Sequence, residues 1–259
     1  MKGLETVEPI RDRLDTKLLT FVLSVIAGSV DVIGFLGLGA LFIAHITGNL
    51  VILAARIAAG EQASAGHFLS VPVFVIALFA ARLLAASLDR SGIATLRPLL
   101  LLQFLLLFGF LAICIGIGSV ADPNAAITIV AAMLGVSAMA VQNALVQLSL
   151  RGAPTTAVMT TNLTRLMLDL GDVWLGTNPD GRAKAMARAR RTGIAITGFV
   201  VGAGLGAWCQ AHLGLWSLTV PAGLALAALV ITCCSRRFVQ AADRAGSSVR
   251  GEASTFRQE

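Results

Sequence analysis

Apolar runs alternate with short polar connections along this chain, and the runs fall into two kinds. Leu18 to Leu41 is long enough to cross a bilayer, which takes about 20 apolar residues. It carries one acid, Asp31, among Gly28, Gly34, Gly37 and Gly39. A shorter segment, Ala40 to Ile57, places His45, Thr47 and Asn49 inside an otherwise apolar stretch. Phe68 to Leu88 and Pro98 to Gly118 read as full crossings, with Pro98 where a helix starts and its missing N–H costs nothing. Ala125 to Leu148 is another, with Gln142, Asn143 and Gln147 toward its end. A second short segment follows from Thr155 to Leu168, in which Met159-Thr160-Thr161-Asn162-Leu163 answers Ile46-Thr47-Gly48-Asn49-Leu50. Its continuation through Arg165, Asp169 and Asp172 is too polar for a lipid-facing helix. Thr192 to Ala211 repeats glycine at 198, 202 and 206, a face built for close helix packing, and Leu215 to Ser235 is the last run.

Composition agrees with lipid rather than water. The 259-residue chain is 56% hydrophobic and 13% charged, whereas soluble domains carry roughly a quarter charged residues. The formal charge of +6 does not point to nucleic acid, because Lys and Arg collect in the connections between apolar runs, where they set membrane orientation. The N-terminal residues, the 89 to 97 connection, the 178 to 191 loop and the C-terminal residues are basic and therefore expected in the cytoplasm. For those four to share one side, one apolar segment in each intervening trio must fail to cross. The two short segments are the natural ones.

The predicted fold class is thus an all-α polytopic membrane protein with about six transmembrane helices plus two short half-spans. It divides into a cytoplasmic N-terminal segment (1–17), a first repeat unit (18–118), a second repeat unit (119–235) and a disordered basic tail (236–259). Three crossings per unit would make the second copy an inverted repeat of the first, an architecture in which transporters form substrate sites between broken helices. The competing topology has seven or eight full crossings, with one loop breaking the charge rule.

Catalytic motifs are lacking: no HExxH helix, no GxSxG elbow, no P-loop and no dinucleotide glycine pattern occurs. Cys114, Cys209, Cys233 and Cys234 lie in or at the ends of apolar runs without metal spacing and read as inert thiols, so neither metal nor cofactor is expected. Residues 1 to 16 are too charged to resemble a cleaved leader. Among three histidines, His67 and His212 fall at segment ends, where exposure at the interface is expected.

Polar groups in the apolar segments are the remaining candidates for chemistry. An acid at the centre of a transmembrane helix costs about 2.5–3.5 kcal/mol on insertion scales, so Asp31 must face the bundle interior. It reads either as a proton- or cation-coupling carboxylate, or as a cap on a helix broken at the glycines or one half of a fixed salt bridge to an internal Arg. His45 and Asn49 stand one helical turn apart and share a face, with Thr47 near by. They form a polar patch for a small solute or a proton relay, since histidine titrates near neutrality, or they satisfy the free ends of a half-helix. Thr160, Asn162 and Arg165 occupy the second copy. Arg165 is spaced to pair with Asp169 on one helix face, or to counter an anionic solute or Asp31.

The run from residue 27 to 53, AGSVDVIGFLGLGALFIAHITGNLVIL, resembles the N-terminal signature of the YoaK family of bacterial inner-membrane proteins. Ala27, Gly28, Asp31, Gly34 and Phe35 match its first part; His45, Thr47, Gly48 and Asn49 match its second. The resemblance implies a polytopic inner-membrane protein and carries no activity, because that family is a domain-of-unknown-function group. Together these readings predict secondary transport of a small solute between the two units. Asp31, His45, Thr47 and Asn49 from one unit and Thr160, Asn162 and Arg165 from the other would face a central cavity. A non-transporting scaffold that binds lipid or a partner is the main alternative, and an intramembrane hydrolase built on His45 and a serine is a third.

Overall fold

A computed structural model describes residues 10–61, 64–118, 122–150 and 152–234, with side chains from residue 16 onward. The residues before 10 and the tail 236–259 lie outside the described residues. Among the described residues, eight helices run in the order α1 (Ile10–Gly37), α2 (Ile46–Ala58), α3 (Ala65–Arg90), α4 (Leu96–Ile117), α5 (Ala126–Ser149), α6 (Met159–Leu175), α7 (Pro179–Leu213) and α8 (Thr219–Cys234), with a 3₁₀ turn, Gly214–Leu218, before the last. No strand occurs among the described residues. Five stretches are long and apolar enough to cross a membrane: α1 from Thr16, α3, α4, α5, and a 56-residue run from Pro179 to Cys234 that the 3₁₀ turn divides into α7 and α8. The chain is an all-helical polytopic membrane protein.

Contacts between helices fix which way each one runs. Pro123, just before α5, abuts Gly39 beyond the end of α1, while Gln142, well into α5, donates to the Leu23 carbonyl midway along α1. The two helices are therefore antiparallel. The Thr95 and Ser149 hydroxyls meet at 3.0 Å, and Arg97 donates to the Thr232 carbonyl. The beginning of α4 and the ends of α5 and α8 thus share the Leu18 end of the molecule. Leu215 packs on Gly37 at the opposite end, so α8 runs back across the bundle from there.

The short helices do not cross. Residues 38–45 leave the end of α1 unwound, turn back to the level of Asp31, and α2 then climbs until Arg56 donates to the Gly39 carbonyl at 3.1 Å. The next helix begins where α2 finishes, since the Ser64 hydroxyl donates to the Pro123 carbonyl. Both ends of this excursion lie at the Gly37 end. After α5, residues 152–158 turn back until Thr156 reaches Gln142, and α6 returns to the Leu18 end, where Asp169 meets Arg188 in the first half of α7. The two short helices therefore enter the bundle from opposite ends. At 13 and 17 residues they are about 20 and 25 Å long at 1.5 Å per residue, short of the ~30 Å hydrocarbon layer.

Helix pairing follows a matched pattern: α1 packs on α7 as α3 packs on α5, α2 on α3 as α6 on α7, and α4 on α5 as α8 on α1, with α4 also on α8 and α1 on α5. The tightest of these seams is α1 against α7. A Cβ on Gly198 would come within 2.8 Å of the Phe21 carbonyl oxygen, and one on Gly206 within 2.8 Å of the Ser29 Cα, so only hydrogen fits along this glycine row. Helices that cannot gain from the hydrophobic effect within lipid associate through such close backbone approach.

Candidate functional site

The polar residues of the first short segment converge at the tip of the 38–58 excursion. Asp31 is 3% exposed, and its Oδ1 accepts three backbone N–H groups, from Ile43 at 2.9 Å, Ala44 at 2.7 Å and His45 at 3.2 Å. These are the donors that an unwound stretch before a helix leaves without intrahelical partners. Oδ2 lies 2.5 Å from His45 Nδ1. An ionised carboxylate has only acceptors, so Nδ1 carries the proton here. His45 Nε2 has no protein partner among the described residues, and its side chain is 37% exposed. One edge of the imidazole is thus held by a buried acid and the other is open. Phe42 and Phe199 flank the ring with centroids at 6.0 and 5.4 Å.

Asn49 closes the same loop from the helix side. Its Oδ1 accepts from the Phe42 N–H at 2.8 Å and its Nδ2 donates to the Phe42 carbonyl at 2.8 Å. Gly34 admits the returning strand, because a Cβ there would run into the Ile43 side chain. Phe35 stacks on Phe42 with ring centroids 4.8 Å apart. Most of the two-part sequence signature, then, builds this one hairpin. Two residues do otherwise: Thr47 is exposed on the outer face of α2, and Gly28 lies against the α7 backbone at Phe199.

The loop between α5 and α6 is held in a similar way by different side chains. Asn162 Nδ2 donates to the Thr155 carbonyl at 2.6 Å, again seven residues upstream, and its Oδ1 accepts from the Thr155 hydroxyl at 3.3 Å. Gln142 of α5 anchors this loop. Its Nε2 donates to the Thr156 hydroxyl at 2.8 Å and to the Leu23 carbonyl at 2.9 Å, while Gln103 Nε2 donates to its Oε1 at 2.7 Å. No titratable group takes part in this second network.

The remaining predicted residues lie apart from these tips. Thr160 and Arg165 are exposed on the outer face of α6. The intrahelical Arg165–Asp169 pair expected from spacing is not formed. Asp169 instead pairs with Arg188 of α7, 2.6 Å away, and Asp172 joins at 3.3 Å. Arg188 Nε and Nη2 both donate to the one Asp169 oxygen, Oδ1, at 2.7 and 2.6 Å, charge-assisted contacts that Arg165 does not supply. Asp31 meets His45 and no arginine. His67, expected at an exposed interface, is buried, with Nε2 donating to the Ala40 carbonyl at 3.2 Å and Nδ1 unpartnered. That bond follows from the fold, since Ala40 belongs to the loop that returns past the start of α3. Cys114 and Cys209 are buried, whereas Cys233 and Cys234 are exposed at the end of α8.

Sequence spacing did not reveal the partners of Asp31, because backbone N–H groups carry no residue signature. Gln103 was likewise missed; a lone glutamine in the most apolar run was the available signal.

No curated protein and no solved structure matches the chain. A family profile described as a protein of unknown function, DUF1275, matches residues 19–231, which takes in both hairpins and all the helices named above. The chain belongs to that family.

Proposed function

We propose that this protein is a secondary transporter of a small solute, built as an inverted repeat of units 18–118 and 119–235. It would lie in a bacterial inner membrane with both termini in the cytoplasm. The observation that carries this reading is the pair of half-helices entering from opposite ends, one of them tipped by the buried Asp31 bonded to the half-exposed His45. Unwound backbone and an ionisable group inside a membrane bundle mark solute and ion pathways in known transporter architectures. The matched helix pairing supports a duplication. The gathering of Arg90, Arg97, Arg182, Lys184, Arg190 and Arg191 at the Leu18 end supports a cytoplasmic face there. Those cations meet anionic lipid headgroups rather than nucleic acid. No residue is assigned a catalytic role.

A scaffold without transport is the second reading, favoured by one observation. Asn49 and Asn162 are fully buried and spend their amide groups on their own hairpins, which leaves little of either for a solute.

Single cysteines at positions 45, 47 and 160, introduced after replacing the four native cysteines, separate the two. Transport predicts labelling by small polar reagents from a side that changes with conditions or added solutes. Labelling fixed to one side, or none, would leave the scaffold.

A further inference from the structure

We infer that the Asp31–His45 pair is a proton-binding site and excludes alkali cations, so that any solute movement is coupled to protons. This rests on the transporter reading for its use, though not for its chemistry. Around Asp31 every contact is an N–H: three from the backbone of residues 43–45 and one from His45 Nδ1. Sodium or potassium needs a shell of oxygen ligands. Here a carboxylate with about four lone-pair sites has them engaged by donors. A metal cation would have to expel the hairpin from its own anchor.

A proton meets no such obstacle. It enters at His45 Nε2, the free lone pair on the exposed side of the ring, and forms an imidazolium that keeps its Nδ1–H bond to Asp31 Oδ2. Nothing else breaks. The local charge changes from −1, for carboxylate and neutral imidazole, to zero for the ion pair. An uncompensated negative charge within an apolar bundle is costly and a paired one far less so. Proton loading therefore makes the hairpin electrically neutral, the condition for it to be occluded or to shift through a dry interior.

Nearby groups do not compete for the role. The helices packed on α1 bring Phe199 of α7 to the ring, and α5, α8 and the 3₁₀ turn bring no acid, His, Lys or Arg among the described residues. Arg56 and His67 bind the Gly39 and Ala40 carbonyls nearer the mouth of the loop. The second unit, with Gln142 at the equivalent place, is proton-silent.

Proton uptake by the purified full chain in nanodiscs, followed with a pH dye between about pH 8 and pH 5 where histidine titrates, tests this. Wild type should take up one proton per chain more than His45→Gln, whose amide can still donate to Asp31 and hold the fold. The uptake should be the same in choline chloride and in sodium chloride, a comparison that needs no variant. Equal uptake by wild type and His45→Gln, or uptake suppressed by sodium, would overturn the assignment. Sided cysteine labelling with no proton uptake would leave transport standing on another coupling ion. Uptake without changing sidedness would leave a proton-binding protein that does not transport.

Discussion

Asn49 holds both backbone groups of Phe42, seven residues upstream, through a single amide with two bonds of 2.8 Å. Asn162 holds the Thr155 carbonyl in the same way, while its Oδ1 accepts from the Thr155 hydroxyl rather than from a backbone N–H. Substituting Asn49 by Ala would strand a buried donor and acceptor, at about 1–3 kcal/mol each. The expected outcome is a loss of roughly 2–4 kcal/mol in unfolding experiments in detergent, with faster amide exchange confined to residues 38–45. Asn49→Asp should recover only the acceptor half. An exchange pattern unchanged by Asn49→Ala would show that the loop is held by Asp31 alone.

Asp31 is the second anchor, and its variants should separate by shape. Asp31→Ala leaves three backbone N–H groups and the His45 ring without an acceptor, at a cost of at least ~3 kcal/mol. Little folded protein should then be recovered from membranes. Asp31→Asn keeps an oxygen for the backbone donors and needs only the other His45 tautomer, so it should fold. Size-exclusion profiles of the two variants side by side provide the check, and equal recovery would contradict the anchoring role.

The seam between α1 and α7 predicts a sharp contrast between neighbouring glycines. A Cβ on Gly202 would strike the Val25 backbone, whereas one on Gly204 meets nothing within 4 Å. Gly202→Val should lower stability by about 1–3 kcal/mol through overpacking. Gly204→Ala should be neutral or slightly stabilising, because alanine is the better helix former. Thermal unfolding of both in the same detergent decides the point.

Ala40 adopts a left-handed conformation with φ of 64°, which is unusual for a residue with a side chain. Replacing it with glycine relieves the clash and leaves the carbonyl that receives His67 in place. A gain of about 0.5–1 kcal/mol is expected, small enough that a raised midpoint with unchanged cooperativity is the readout.

Arg188 joins α6 to α7 by gripping Asp169 and Asp172, while Arg165, on the same short helix, pairs with neither. Because Arg188 is half exposed, its loss should cost only about 0.5–1 kcal/mol, and that cost should shrink in high salt. Arg165→Ala should stay within ~0.5 kcal/mol of wild type. Limited proteolysis of the α6–α7 connection at low and high salt distinguishes these two arginines.

Much of this architecture can be read from the chain, and what cannot has a common cause. The charge parity that made the two short segments half-spans concerns loop composition, which is local. So does the fourfold glycine spacing at 198, 202 and 206. The capping role weighed for Asp31 was legible as one alternative, because an acid beside glycines at a helix break has few other uses. Its bond to His45 was not, since the loop must fold back before residues 31 and 45 can meet. The Asp169 pairing misled for the same reason: spacing within α6 offered Arg165, and the partner came from the next helix. Gln142 was visible as a polar group in an apolar run, but its link to Gln103 required knowing that α4 lies on α5.

The glycine seam also bears on how the chain is made. The face of α1 that carries Ser24, Val25 and Ser29 is covered by α7, a helix synthesised more than a hundred residues later. The first segment to enter the membrane must therefore wait, with a polar flank uncovered, until nearly the last has arrived. Neither half of the chain holds the complement to its own first helix, so the ribosome can release no stable half-protein. A truncation after the first unit should be cleared by membrane quality control rather than accumulate, and supplying the second unit from a separate message should rescue it.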